Sequence, residues 1–296
     1  MLPNFILVGS AKSGTTALDY FLKKHKDIYM SPVKESHFFS SQEITQFNGP
    51  GDEGILKGIV RDVSTYEGLF TGVTNEKVVG ESSVYYLYYP QTPKTIKSLV
   101  PHAKIIIVLR NPIDRAYSAY WHLLRDQREN LSFEKALNIE GERQRNNFEP
   151  IWMLKGLGMY YEQIKRYIDT FGRESVFIVI YDEFVSVPNS VLVNLYKFLG
   201  VDETVEVSTD VQLNKSGIPR SKVTYDFITK PNSLKTIIKP FLPQYLRQVV
   251  KARLLGKISF DKPRMDATTR RNLVNVFYDD IRRLEYLLER DLSFWT

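Results

Sequence analysis

Asn4-Phe-Ile-Leu-Val-Gly9-Ser-Ala-Lys12-Ser13-Gly14-Thr15-Thr16-Ala-Leu-Asp-Tyr-Phe-Leu22 is the stretch whose reading decides the fold. Its apolar opening, residues 4–8, is closed by Gly9 and reads as a short buried strand. From Thr15 onward, Ala17, Leu18, Phe21 and Leu22 share one helical face, which predicts a helix over 15–24. A strand, a glycine loop and a helix in that order present backbone N–H groups and a helix N-terminus to an anion. Gly9 and Gly14 keep the spacing of a nucleotide phosphate loop, but Thr15 stands where that loop's lysine belongs; a lysine lies inside the loop instead, at Lys12.

Outward from this unit the same alternation returns. Residues 77–80 are a short strand candidate, and 104–109 is a continuous β-branched run of the kind found in a central parallel strand. Asn111-Pro112 follows at once, an N-cap residue and a proline suited to the first helical position. Residues 175–181 repeat the strand signal, and 188–199 the helix signal, closed by Gly200. Leu273, Phe277, Ile281, Leu284 and Leu288 then mark a long amphipathic helix. The pattern predicts a single α/β domain over 1–296, with a mainly parallel central sheet and helices on both faces. Two long polar stretches, 40–76 and 125–155, read as insertions or lids over an acceptor.

The chain of 296 residues has no cysteine, which excludes disulfides, thiolate metal sites and cysteine nucleophiles. No segment is apolar enough to span a bilayer, and the expectation is a cytoplasmic protein. The net charge is +6, concentrated in 214–257, where ten Lys or Arg face one acid, Asp226. That stretch suits an anionic ligand or peripheral contact with an anionic or membrane surface, or else a solvated helix face.

A second anion motif lies where the 104–109 strand ends. Arg110 offers a planar fork to a phosphate, and Ser118 a hydroxyl two turns along the next helix. Together the motifs carry a resemblance. Lys12-Ser13-Gly14-Thr15-Thr16 resembles the 5′-phosphosulfate loop of the sulfotransferase family. Arg110-Asn-Pro-x-Asp-Arg-Ala-x-Ser118-x-x-x-His122 resembles its 3′-phosphate motif, and Leu287-Leu-Glu-Arg-Asp291-Leu-Ser-Phe-Trp295 its C-terminal helix. The resemblance implies a phosphate-loop fold and 3′-phosphoadenosine 5′-phosphosulfate as co-substrate, released as adenosine 3′,5′-bisphosphate, with no metal. It also fits the displaced lysine: a sulfuryl group carries less charge than the phosphoryl group that ATP enzymes clamp with Mg²⁺.

Lys34-Glu35-Ser36-His37-Phe38-Phe39 resembles the base segment of the heparan-sulfate-type members, whose glutamate takes the acceptor proton. In an extended segment Glu35 and His37 point to one side, so both are candidates for general-base chemistry. Lys34 reads as a surface ion-pair partner of Glu35, and His122 as structural. Gly80-Glu81-Ser82-Ser83-x-x-Tyr86 is similar to a glycan-side segment of those relatives, but Ser82 stands where they have a lysine near the acceptor. A heavily sulfated glycosaminoglycan is therefore disfavoured as acceptor. Gly158-Met-Tyr160 resembles a further family segment, with Tyr160 read as a packing residue. Two basic segments compete as the flap over the 3′-phosphate: one holding Arg220, the other holding Lys262 and Arg264.

The sequence thus predicts in-line sulfuryl transfer to a hydroxyl or amine of a small-molecule or glycan acceptor, with no nucleic-acid partner. Lys12, Ser13, Gly14, Thr15 and Thr16 hold the 5′ end of the donor, Arg110 and Ser118 the 3′-phosphate, and Glu35 takes the proton. Two alternatives are an ATP- and magnesium-dependent phosphate-loop kinase and a non-enzymatic polyanion-binding module. Thr15 in the lysine position argues against the first, and Glu35 in an anion cleft against the second.

Overall fold

The sheet grows sideways from the strand that opens the chain. The computed structural model describes residues 1–207, 263–296 and the backbone of 218–219 and 259–260. In chain order the first part runs β1 (Phe5–Gly9), α1 (Thr15–Leu22), β2 (Ile28–Met30), α2 (Glu53–Leu56), α3 (Val63–Gly68), β3 (Val78–Ser82), α4 (Thr92–Leu99), β4 (Lys104–Leu109) and α5 (Pro112–Arg125). Then follow α6 (Phe133–Asn138), α7 (Glu140–Arg145), α8 (Tyr160–Phe171), β5 (Val176–Ile180), α9 (Tyr181–Ser186), α10 (Pro188–Leu199), β6 (Ile218–Pro219), β7 (Ser259–Phe260) and α11 (Ala267–Leu288). Strands β1 to β5 form one parallel sheet in the order β2-β3-β1-β4-β5.

Alternation along the strands builds two cores. On β4, Ile105, Ile107 and Leu109 join Ile6 and Val8 on the face covered by α5, α8 and α11. Ile106 and Val108 join Phe5 and Leu7 on the other face, with Leu18 and Leu22 of α1 and Leu192 and Leu195 of α10. These strand side chains are wholly buried, and each contributes roughly 1.5–3 kcal/mol through loss of apolar surface to water. The expected elements are present with small boundary differences. Helix α1 stops at Leu22, two residues early, and β3 runs on to Ser82. The edge strand β2 was not foreseen, because three residues are too few to show a period of two.

The polar stretches 40–76 and 125–155 each send apolar side chains into the main core. Tyr66 stacks on Phe38 with ring centroids 4.0 Å apart, and Phe70 meets Tyr66 edge-on. Phe133 and Trp152 are buried in the same cluster. Their polar composition hides a buried ionic knot. The Asp52 carboxylate accepts the N–H groups of Gly49 (2.8 Å), Glu149 (2.8 Å) and Trp152 Nε1 (2.9 Å). Arg128 bridges Asp52 and Glu149, and Glu149 accepts the Tyr85 hydroxyl. A buried charge is tolerable only when paired in this way, so each stretch holds the other in place.

Candidate active site

Every candidate residue at the sheet lies at the carboxyl ends of its parallel strands. The loop after β1 and Arg110 after β4 occupy adjacent strands, where the chain switches from one side of β1 to the other; such crevices are where α/β sheets bind ligands. Left-handed backbone marks the loop: Gly14 has φ 93° and Lys12 φ 69°. A Cβ at Gly14 would lie 2.9 Å from the Tyr181 ring, so glycine is needed for both space and conformation. Ser10 and Ser13 share a hydrogen bond of 2.6 Å, and the Ser10 hydroxyl lies 3.4 Å from that of Tyr160. Tyr160 in turn donates to the Arg110 carbonyl at 3.0 Å. The residue read as mere packing therefore ties the phosphate loop to the end of β4.

The Arg110 guanidinium lies over the Tyr181 ring, 4.7 Å from its centroid, and its Nη1 donates to the Lys12 carbonyl at 3.4 Å. That stacking pre-orients a planar fork, as bidentate phosphate recognition requires. The Asn111 side chain caps α5 by accepting the N–H of Ile113 at 2.9 Å, as its sequence position predicts. Ser118 is buried on that helix, about 9 Å along its axis from Pro112. His122, one turn further, is pushed down to about 3, first by burial and then by the Lys12 and Arg125 charges. It is therefore neutral at pH 7. Helix α11 and the chain end brace this side: Asp280 accepts the Tyr160 N–H at 2.7 Å, and Asn111 Nδ2 donates to the Trp295 carbonyl at 3.1 Å.

The base segment is not extended. Glu35 has φ 61° and His37 φ 52°, both left-handed. The two side chains nevertheless converge, Glu35 Oε2 lying 3.8 Å from His37 Nε2, through a tight turn and not through strand alternation. Glu35 Oε2 accepts the Val84 N–H at 2.8 Å, and its side chain stays one-third exposed. His37 is buried and stacks on Tyr85, ring centroids 5.1 Å apart; burial pulls its pKa down, although the Glu35 charge opposes this. Non-glycine residues held left-handed cost of order 1–3 kcal/mol and gather at functional sites.

Below them, Glu81 is completely buried, its Oε1 accepting the hydroxyls of Ser36 (3.1 Å) and Ser83 (2.5 Å). Burial raises Glu81 to about 7, and the Glu35 charge adds to the shift against the two hydroxyls. Ser82 Oγ is buried with no hydrogen-bond partner.

Sequence reasoning left the two flap segments as rivals. Strands β6 and β7 pair antiparallel, Ile218 opposite Phe260 and Pro219 opposite Ser259, with β6 against α5. Tyr117, next to Ser118, donates to the Pro263 carbonyl at 3.0 Å, which brings the exposed Arg264 to the α5 side. Arg220, Lys262 and the basic stretch 214–257, apart from the backbone of 218–219, lie outside the described residues. Among the described residues no group of acidic or histidine side chains could hold a metal ion, and no helix is long and apolar enough to cross a membrane.

The same architecture occurs in known proteins. A crystal structure of a sulfotransferase from Alicyclobacillus acidocaldarius superposes with a TM-score of 0.79 and is 38% identical, covering 100% of this chain and 99% of that one. A membrane-associated sulfotransferase of Dictyostelium discoideum, kil1, is 35% identical over 119 residues, 40% of this chain. Bovine bifunctional heparan sulfate N-deacetylase/N-sulfotransferase 2 is 29% identical over 306 residues, 98% of this chain. The chain spans only 22% and 30% of these two relatives' lengths. The sulfotransferase domain model matches residues 2–216. The chain therefore belongs to the sulfotransferase family, enzymes that carry a sulfuryl group from 3′-phosphoadenosine 5′-phosphosulfate to an acceptor.

Proposed function

We propose that Glu35 is the general base of this enzyme and that the acceptor is a carbohydrate hydroxyl or amine on a small glycoside, glycolipid or secondary metabolite. One observation carries the reading: the partly exposed Glu35 carboxylate is fixed by the Val84 N–H and by Lys34, whose ammonium also touches Thr15 and Thr16 of the phosphate loop. Base and donor loop thus stand a single ammonium apart. The loop N–H groups, Lys12 and the start of α1 hold the 5′-phosphosulfate, with Lys12 offsetting the charge left on the phosphate oxygen. Arg110 and Ser118 hold the 3′-phosphate, with the exposed Arg264 near the same helix. Glu35 accepts the acceptor proton as the acceptor attacks sulfur. His37, neutral and stacked on Tyr85, positions Glu35 and does not compete for the proton.

A carbohydrate acceptor is supported by the heparan sulfate named in the bovine relative and by the base segment it resembles. The test uses radiolabelled donor and a panel of small glycosides and glucosaminides. Glu35→Gln should lose roughly 10²–10⁴ in turnover while keeping its affinity for adenosine 3′,5′-bisphosphate. That bisphosphate should raise the melting temperature of the native chain by mass action, and ATP with Mg²⁺ should do much less. A fully active Glu35→Gln enzyme, or stabilisation by ATP-Mg alone, would overturn the reading.

A further inference from the structure

Lys34 does more than its sequence position suggests. Its Nζ lies 3.2 Å from Thr16 Oγ1, 3.4 Å from Thr15 Oγ1 and 3.3 Å from Glu35 Oε1. The side chain is 21% exposed, so the ammonium remains open to a ligand. An ammonium has three N–H donors. Here one faces the carboxylate and two face neutral hydroxyls, which are weaker partners than anionic oxygens. The two threonines open α1 at the mouth of the loop proposed to hold the phosphosulfate.

The surroundings show a demand for this charge. Ser82, where the family segment carries a lysine, ends β3 with a buried hydroxyl that has no partner and supplies no cation. Glu35 and Glu81 put two carboxyl groups on the same side of the site. A sulfuryl group passing between donor and acceptor holds negative charge on three oxygens, and it must cross next to them.

We infer that Lys34 is a catalytic residue whose ammonium binds an oxygen of the sulfuryl group during transfer, in place of the cation missing at Ser82. The inference rests on the donor and base assigned above. In the step, the acceptor oxygen or nitrogen bonds to sulfur as the bond from sulfur to the 5′-phosphate oxygen breaks. The electron pair of that bond stays on the phosphate, and the acceptor proton goes to Glu35. Lys34 keeps its own proton and exchanges the threonine hydroxyls for sulfuryl oxygens, while its bond to Glu35 aligns base and sulfur. Fixed charge aimed at the transferring group is the kind of stabilisation that costs no reorganisation during reaction.

The experiment compares two ligands that differ only in the sulfuryl group. Binding of 3′-phosphoadenosine 5′-phosphosulfate and of adenosine 3′,5′-bisphosphate is measured by calorimetry for the native chain, Lys34→Met and Lys34→Arg. Lys34→Met should bind the phosphosulfate about 10- to 100-fold more weakly, the range for one hydrogen bond to a charged group. Its affinity for the bisphosphate should change less than twofold, which also reports an intact fold. Lys34→Arg, keeping the charge, should recover most of the difference. Equal losses for both ligands would make Lys34 a brace of the loop and overturn the inference, as would no loss for either. A native chain that binds neither ligand would sink the donor assignment itself, and this inference with it.

Discussion

Glu81→Gln should flatten the pH dependence of stability. The native carboxyl titrates near 7, because it is fully buried and faces the Glu35 charge, whereas an ordinary glutamate titrates near 4.5. A group whose native pKa is raised keeps its proton in the fold after the unfolded chain has lost it. The unfolded state then binds fewer protons, and stability falls as pH rises from about 4.5 to about 7. At about 1.4 kcal/mol for each pH unit between the two values, the loss amounts to about 3 kcal/mol, complete by pH 8. His37 acts oppositely: burial lowers its pKa, so its contribution is present above its ordinary value and is lost as pH falls. The raw profile therefore mixes two slopes, and the difference between native chain and variant isolates Glu81. Glutamine keeps an oxygen for the Ser36 and Ser83 hydroxyls and cannot ionise. Urea denaturation of both proteins at pH 5, 6, 7 and 8 should show the variant gaining about 2.5 kcal/mol relative to the native chain across that range, the rest of the loss lying below pH 5. A constant difference from pH 5 to pH 8 would refute the linkage and mean that Glu81 is ionised throughout.

The donor side gives two further tests. Arg110→Ala should weaken adenosine 3′,5′-bisphosphate by about 1.5–3 kcal/mol, the range for a hydrogen bond to a charged group, and adenosine 5′-phosphate far less; calorimetry showing equal losses would misplace the 3′-phosphate. Gly14→Ala should destabilise the chain by about 1–2 kcal/mol, from left-handed backbone alone, and should also weaken the bisphosphate by pushing the Tyr181 ring from beneath Arg110. Unchanged melting temperature and unchanged binding in that variant would show that the loop tolerates a side chain there.

The parts of this molecule that were legible in its sequence are those whose physics is local. Strands β1 and β4 are buried on both faces and so read as unbroken apolar runs. The Asn111 cap and the left-handed Gly200 (φ 81°) follow from the residue types that such positions accept. Loop and fork lie on the first and fourth strands, so their residues could be named once the sheet was inferred. What failed were inferences needing long-range contacts. The alternation argument brought Glu35 and His37 to one side, but for the wrong backbone, because the turn is stabilised by the Ser82 carbonyl and Ser83 hydroxyl across the sheet. Lys34 paired with its neighbour on paper, and its reach to Thr16 exists only after β2 has placed the segment beside α1. Asp52, Arg128 and Glu149 could not be singled out, since no sequence pattern announces a buried ion cluster.

That cluster is linked to Glu35 by an unbroken chain of contacts. From Asp52 the contacts run through Arg128 to Glu149, through the Tyr85 hydroxyl to its ring, across the stack to His37, and from His37 to Glu35. Both polar insertions therefore end on Glu35. Removing one partner from a buried ion pair commonly costs 3–5 kcal/mol, because the charge left behind cannot be hydrated. The inner faces of these insertions are thus constrained by charge balance, while exposed positions such as Glu53, Lys57 and Glu142 carry no such constraint. The donor side is braced separately, by Tyr160 between loop and β4 and by α11 behind it. The two halves meet at Lys34, whose ammonium contacts both Thr16 of the loop and Glu35. A substitution in the knot that shifts Tyr85 would accordingly be felt at His37 and Glu35, whereas one on the exposed outer wall would not.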